Sequence, residues 1–152
     1  MQTITPFLWF NGNLDEALRF YPTVFENTKI DSVNRMGDQV FSAEFELNGQ
    51  KFMALNVTQE PHFHFNESIS MYVSVETQSE VDGLWEKLTA DGGSEGRCGW
   101  LKDKFGLSWQ IIPRALGQLM GDPDPAKSQR VMQAMMKMNK ITIKDLEMAH
   151  TG

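Results

Sequence analysis

The stretch Gly99-Trp100-Leu101-Lys102-Asp103-Lys104-Phe105-Gly106-Leu107-Ser108-Trp109-Gln110-Ile111-Ile112-Pro113 reads as two strands joined by a tight polar turn. Asp103 to Gly106 supplies the turn, with Gly106 suited to a positive φ, and Trp109-Gln110-Ile111-Ile112 has strand propensity. Alternation along the second strand sets Trp109 and Ile111 on one face and Ser108, Gln110 and Ile112 on the other. A polar amide therefore stands in the middle of an otherwise apolar strand. Gln110 is either a satisfied core group or the floor of a site.

Working outward, the same plan occurs twice. Thr3 to Phe10 is an apolar strand ended by Asn11-Gly12, and a helix follows with Asn13 as N-cap and Glu16 in capping-box position. Leu14, Ala17, Leu18 and Tyr21 form its apolar face, and Pro22 kinks or shortens its last turn. Strands follow at Ile30 to Arg35, Gln39 to Leu47 and Lys51 to Val57, with Met36-Gly37-Asp38 and Asn48-Gly49 as hairpin turns. The second copy opens with a strand from Ser68 to Glu76. A capping box at Thr77 and Glu80 then starts a helix that buries Val81, Leu84, Trp85 and Leu88 and ends at Gly92-Gly93. Short strands complete it near Ser94 to Arg97, Cys98 to Lys102 and Leu107 to Ile112. The plan is βαβββ, twice.

The tail differs. Asp124 is the N-cap and Pro125 the first residue of a helix carrying Val131, Met132, Met135, Met136 and Met138, and Thr142 with Asp145 caps a short final helix. A methionine stripe of this kind packs on a sheet or a partner subunit, or serves as an adaptable binding face.

Composition narrows the class. A chain of 152 residues fits one domain, and 41% hydrophobic residues suffice for a core. No apolar run is long enough to span a membrane, and the first residues lack a signal-peptide pattern. The single cysteine, Cys98, excludes an internal disulfide framework and suits the cytoplasm. A net charge of -6, with Lys and Arg scattered among acids, argues against nucleic acid.

Pro6-Phe7-Leu8-Trp9-Phe10, Phe20-Tyr21, Phe52-Met53-Ala54-Leu55-Asn56, Phe65-Asn66-Glu67-Ser68-Ile69-Ser70, the run Cys98 to Gly106 and the tail from Asp122 through Met138 carry a family resemblance. With the duplicated βαβββ unit, they resemble the PhnB-like subfamily of the glyoxalase/bleomycin-resistance superfamily, also called the vicinal oxygen chelate fold. Members of that subfamily are often labelled demethylubiquinone methyltransferases. The resemblance implies an α+β fold: two βαβββ modules, about residues 1–60 and 66–115, forming a curved mixed sheet around a cavity within a single domain spanning 1–152. Helices lie outside, and a C-terminal helical appendage covers about 122–150. It also implies a homodimer.

Metal-using members of the superfamily place ligands on the first strand of each half and on the last strand. By strand position these places fall near Thr5, Ser70 and Gln110. Hydroxyls are poor divalent-metal ligands beside His or carboxylate, so no metal is expected. Methyl transfer of the common kind needs a glycine-rich loop after a first parallel strand. Asn11-Gly12-Asn13 is too short and has one glycine, so no such cofactor is expected.

Three other groups invite chemistry. His62 and His64 share one face of Pro61-His62-Phe63-His64-Phe65 and could bind zinc only with further ligands from Glu60 or Glu67; an exposed loop between the halves is the plainer reading. Cys98 beside Arg97 could be a nucleophile, or a small hydrophobe in a strand. Glu44 and Glu46 share a strand face, either as an acid/base pair or as a solvated surface.

The remaining candidate is a pocket. Its expected lining is Thr5, Phe7, Trp9, Asn56, Ser70, Tyr72, Trp100 and Gln110, an aromatic wall with a few hydroxyls and amides, unless large side chains simply fill the space. The function expected is metal-independent binding of a small molecule. The alternative is an enzyme of unknown reaction in which Gln110, Tyr72 or Asn56 polarises the substrate. A third reading leaves the pocket vestigial and puts the work in subunit contacts.

Overall fold

A computed structural model describes all 152 residues, which form two compact units, Met1–His64 and Phe65–Gly152. The first unit runs β1 (Phe7–Phe10), α1 (Leu14–Val24), β2 (Thr28–Met36), β3 (Gln39–Leu47) and β4 (Gln50–Asn56). Its four-stranded sheet has the order β1-β4-β3-β2, with β1 parallel to β4 and the other pairs antiparallel. Leu8, Phe10, Phe45, Phe52 and Ala54 are buried on one face, together with Leu14, Ala17, Tyr21 and Val24 of α1. Tyr21 stacks on Phe45 at 6.3 Å, and Phe45 on Phe52 at 5.4 Å. The β3–β4 hairpin turns through Asn48 and Gly49 at φ 47° and 86°, the consecutive positive angles that primed turns demand.

Two expectations need correction here. β1 begins at Phe7 rather than Thr3: Pro6 has no N–H to give a ladder and contributes only its carbonyl, which accepts from Met53. The side chain of Asn13 sits at the N-cap of α1 but makes no capping bond. Asn56, from the end of β4, does that work across the fold. Its Oδ1 accepts from the N–H groups of Gly12 (2.8 Å) and Leu14 (3.4 Å), and its Nδ2 donates to the Val40 carbonyl at 3.0 Å.

The second unit runs β5 (Met71–Val75), α2 (Gln78–Thr89), β6 (Ser94–Glu95), β7 (Trp100–Lys102) and β8 (Ser108–Pro113). The sheet order β5-β8-β7-β6, again with its first pair parallel, repeats the first unit strand for strand. The Thr77–Glu80 capping box forms as expected, and the bond to the backbone N–H of Thr77 leads the causes that hold the Glu80 carboxyl below its usual range. Val81, Trp85 and Leu88 of α2 are buried with Val75, Leu101, Trp109 and Ile111. The β7–β8 turn is built on Asp103, which is 2% exposed. Its carboxylate accepts from the N–H groups of Phe105 (2.9 Å) and Leu107 (3.1 Å) and from the indole of Trp109 (2.9 Å).

The appendage starts earlier than the sequence pattern indicates. α3 (Arg114–Met120) follows β8 directly, and α4 (Pro125–Met135) and α5 (Ile143–Thr151) complete it. Asp124 caps α4 as expected, but Thr142 makes no side-chain cap; Gln78 Oε1 instead accepts from the Ile143 N–H at 2.8 Å. Ile112, Leu116, Val131, Ile141 and Leu146 form a core of their own, with Met135 and Met138 against it. The methionine stripe is thus split, since Met132 and Met136 stay exposed.

The link between α4 and α5 is bonded along the segment before β7. Cys98 and Gly99 each donate a backbone N–H at 2.8 Å, to the carbonyls of Met138 and Asn139. Cys98 is accordingly not a strand residue. It has φ 58°, in the left-handed region, and serves this junction.

Candidate functional site

In each unit the helices α1 or α2 cover one face of the sheet, and the other face is the one expected to bear the site. In the first unit Phe7 pairs with Met53 and Trp9 with Leu55, so these four share that face with Glu44. Phe7 is exposed, and Thr5 just before β1 is half-buried. The indole of Trp9 donates to Asn11 Oδ1 at 3.2 Å and meets Phe63 edge-on at 4.9 Å. Glu46 pairs with Lys51 at 3.6 Å and Glu44 is exposed, the solvated-face arrangement. A cleft of about 430 Å³ opens at the end of this sheet between Met36, Phe41, Val57 and Gln59. Asn56 lines it, but the amide is spent on the backbone bonds already described.

The second unit gathers more of the expected residues. Tyr72 and Trp100 both stand in register with Gln110, and Lys102 with Ser108, so all five side chains share one face. Gln110 Nε2 donates to Ser70 Oγ at 2.9 Å. Glu67, on the same run toward β5, forms an ion pair with Lys102. That run was expected to be strand from Ser68. It instead stays irregular up to Met71, its side chains tied to β7 and β8 at two points. Hydrogen bonding to the Lys102 ammonium holds the Glu67 carboxyl below the usual carboxylate range.

Between the two ties lies Ser108. It is 0% exposed, and its Oγ is a buried side-chain polar atom with no hydrogen-bond partner. A buried hydroxyl left unpaired costs about 1–3 kcal/mol. Ser108, Trp100, Lys102, Ser94 and Glu67 line a cleft of about 260 Å³, just under the usual range of about 300–1,000 Å³ for ligand pockets. Sequence reasoning set Ser108 on the right face but did not single it out. The signal was present: a hydroxyl two residues from Gln110 on a strand otherwise apolar. Ile112, at the next position on this face, is instead buried under the appendage.

The positions assigned to metal ligands by resemblance do not fit a metal. Ser70 and Gln110 hydrogen-bond each other, Thr5 offers one hydroxyl, and no three His, Cys, Asp or Glu side chains converge to hold an ion. His62 instead pairs loosely with Glu60, its Nδ1 3.4 Å from the carboxylate. Neither sheet has the doubly wound parallel order that carries the usual methyl-donor cofactor. No helix is long and apolar enough to cross a membrane.

Two βαβββ units, each a four-stranded mixed sheet with its helix on one side, define a protein of the glyoxalase/bleomycin-resistance fold. A glyoxalase/bleomycin-resistance/dioxygenase domain from Frankia has this fold (16% identity, TM-score 0.53, covering 74% of this chain and 92% of that one). Residues 2–112 match the model of the 3-demethylubiquinone-9 3-methyltransferase family, and the chain belongs to that family. A Bacillus cereus PhnB protein, described as a putative 3-demethylubiquinone-9 3-methyltransferase, is 35% identical, with TM-score 0.67 over 74% of this chain and 99% of its own. Protein PA1353 of Pseudomonas aeruginosa is 23% identical, with TM-score 0.60 over 74% and 98%. No curated protein matches. The family match stops at Ile112, so α3, α4 and α5 lie beyond it.

Proposed function

We propose that this protein binds a small molecule on the open face of its second unit and does so without a resident metal. The observation that carries this reading is the cleft floored by Ser108, a buried hydroxyl with no partner inside the fold. Ser70, Tyr72, Trp100 and Gln110 border the same face and supply an aromatic wall with oriented polar groups. Membership of a family with the glyoxalase/bleomycin-resistance fold supports it, as does the poor fit of the donor set to a divalent ion.

The reading takes the two units as halves of one domain acting as a cytoplasmic homodimer. Exposed apolar side chains on the open sheet faces, Phe7 and Met53 in one unit and Tyr72 in the other, support a partner copy. Sedimentation equilibrium tests that part separately. A second reading, an enzyme using the same face, draws on Gln110: its Nε2 is fixed by Ser70, which aims the amide and leaves Oε1 as an oriented acceptor.

The test is a thermal-shift screen of aromatic metabolites, followed by amide NMR titration of each hit. Saturable shifts at Trp100, Ser108 and Gln110 with ligand recovered unchanged support the binder. Turnover of that ligand supports the enzyme. Hits that leave these three signals unmoved sink both.

A further inference from the structure

We propose that the cleft at the end of the first sheet is a separate binding site, for a planar heterocycle with adjacent hydrogen-bond donor and acceptor atoms, such as a lactam. A β-bulge builds it. The β2–β3 ladder passes from Asn34 opposite Ser42 directly to Arg35 opposite Val40, which leaves Phe41 as an extra residue on β3. The β3–β4 ladder ends at Ser42 opposite Leu55, so Phe41 has no cross-strand partner on that side either. A bulge of this kind re-aims a side chain. Ala43, Phe45 and Leu47 are buried on the helix side, whereas Phe41, two residues before Ala43, is 44% exposed and lines the cleft. Both walls are fixed. The Val40 N–H donates to Asp15 at 3.2 Å and its carbonyl accepts from Asn56, while Val57 across the cleft donates to the Phe10 carbonyl at 2.9 Å. Phe41 is thus presented from a preorganised frame.

The remaining lining sets the class of ligand. Phe41 and the exposed Met36 offer a ring face and a thioether, both of which favour an aromatic ring. Gln39, Thr58 and Gln59 line the same cleft, and no hydrogen bond within the fold uses their side chains. A primary carboxamide holds a donor and an acceptor side by side, so it pairs edge to edge with a ring that carries both. No ionisable side chain lines the cleft. Arg35, beside Met36 on β2, is engaged by Asp15 at 3.8 Å and by the Asp38 carbonyl at 3.4 Å. Recognition here therefore rests on ring contact and amide pairing. The volume of about 430 Å³ lies within the usual range of about 300–1,000 Å³ for small-molecule sites. Met36, Gln39, Phe41, Thr58 and Gln59 are all exposed, so a ligand reaches each of them.

The probes are 2-pyridone and N-methyl-2-pyridone, neutral lactams of which only the first has an N–H, titrated at millimolar concentration against the full chain by amide NMR. Expected are saturable shifts at Gln39, Phe41 and Val57 and at the side-chain carboxamides of Gln39 and Gln59. The N–H form should bind at least about fivefold tighter than its methyl derivative. Phe41→Ala should weaken 2-pyridone several-fold, and a variant combining Gln39→Ala with Gln59→Ala should bring the two probes level. Urea midpoints of the glutamine variant should stay near the parent's, since both side chains are exposed, so its loss of binding reports on the site. Equal binding of the two probes by the parent overturns the proposal, as does undiminished preference for 2-pyridone in the glutamine variant. Absence of a saturable shift at Gln39, Phe41 and Val57 overturns the site itself. Shifts confined to Trp100, Ser108 and Gln110 do the same, while supporting the separate reading of the second unit.

Discussion

The indole N–H of Trp109 donates to the buried carboxylate of Asp103 across 2.9 Å, joining the strand β8 to the turn that precedes it. The same carboxylate takes two backbone N–H groups of that turn, from Phe105 and Leu107. Asp103→Ala strands two buried donors, Leu107 N–H and the Trp109 indole, at about 1–3 kcal/mol each before relaxation, and a half-buried one at Phe105. We expect a loss of about 3 kcal/mol or more in urea unfolding. Trp109→Phe removes one charge-assisted bond and part of a ring, so it should cost less than Asp103→Ala. If Asp103→Ala unfolds with an unchanged midpoint, the turn is not held by this carboxylate.

Capping divides between the two helices in an unexpected way, and this is measurable. Thr77 caps α2 by its own side chain, so Thr77→Ala should cost about 1 kcal/mol. Asn13→Ala should fall within about 0.5 kcal/mol of the parent, since its side chain caps nothing. Asn56→Ala should cost about 2 kcal/mol or more, because it frees Gly12, Leu14 and Val40 together. Equal losses for Asn13 and Asn56 would refute this division.

Gly99 joins sheet and appendage. Its φ is 84°, and a Cβ there would stand 2.6 Å from Ile112 Cδ1 and 3.1 Å from the Ile111 carbonyl oxygen. Gly99→Ala should therefore cost about 2 kcal/mol or more, from backbone strain and overpacking together. Limited proteolysis should then cut after Gly121 faster than in the parent. Unchanged cleavage would mean the appendage does not depend on this close approach.

The appendage also carries a pH dependence. Asp122 accepts from the Asp124 N–H at 2.8 Å and pairs with His150 at the same distance. These bonds, the backbone one first, hold its carboxyl below the ordinary value. A carboxyl whose folded-state value lies below its unfolded value of about 3.9 stabilises the fold at higher pH and loses that contribution as pH falls through the folded value. Asp122→Asn should lower the midpoint of unfolding at pH 7, and the gap from the parent should close below about pH 4. A gap that stays constant from pH 7 to pH 3 would exclude the linkage.

Gln110 shows how far the residue pattern alone reaches. Alternation assigned it the face opposite Trp109 and Ile111, and the register with Tyr72 and Trp100 agrees. Periodicity likewise located both βαβββ units, the Asn48-Gly49 turn, the α2 capping box and the Asp124-Pro125 start of α4, because these are local features set by a few neighbouring residues. α3 was missed because Arg114 to Met120 carries two glycines within or beside a single apolar turn, too short a run for periodicity to speak.

What the sequence determined by itself was the order of elements within the two βαβββ units, the face each strand residue takes there and the absence of strong metal donors at the expected positions. Tertiary structure alone decided which polar groups satisfy each other. Asn56, on the strand paired with β1, caps α1, Ser70 takes the Gln110 amide, and Glu67 takes Lys102, while Ser108 between those last two ties is left unpaired. The physical reason is range. Periods of 2 and 3.6 residues are written in near neighbours, whereas each of these pairings joins residues some 35 or more positions apart, whose meeting depends on strand register and packing.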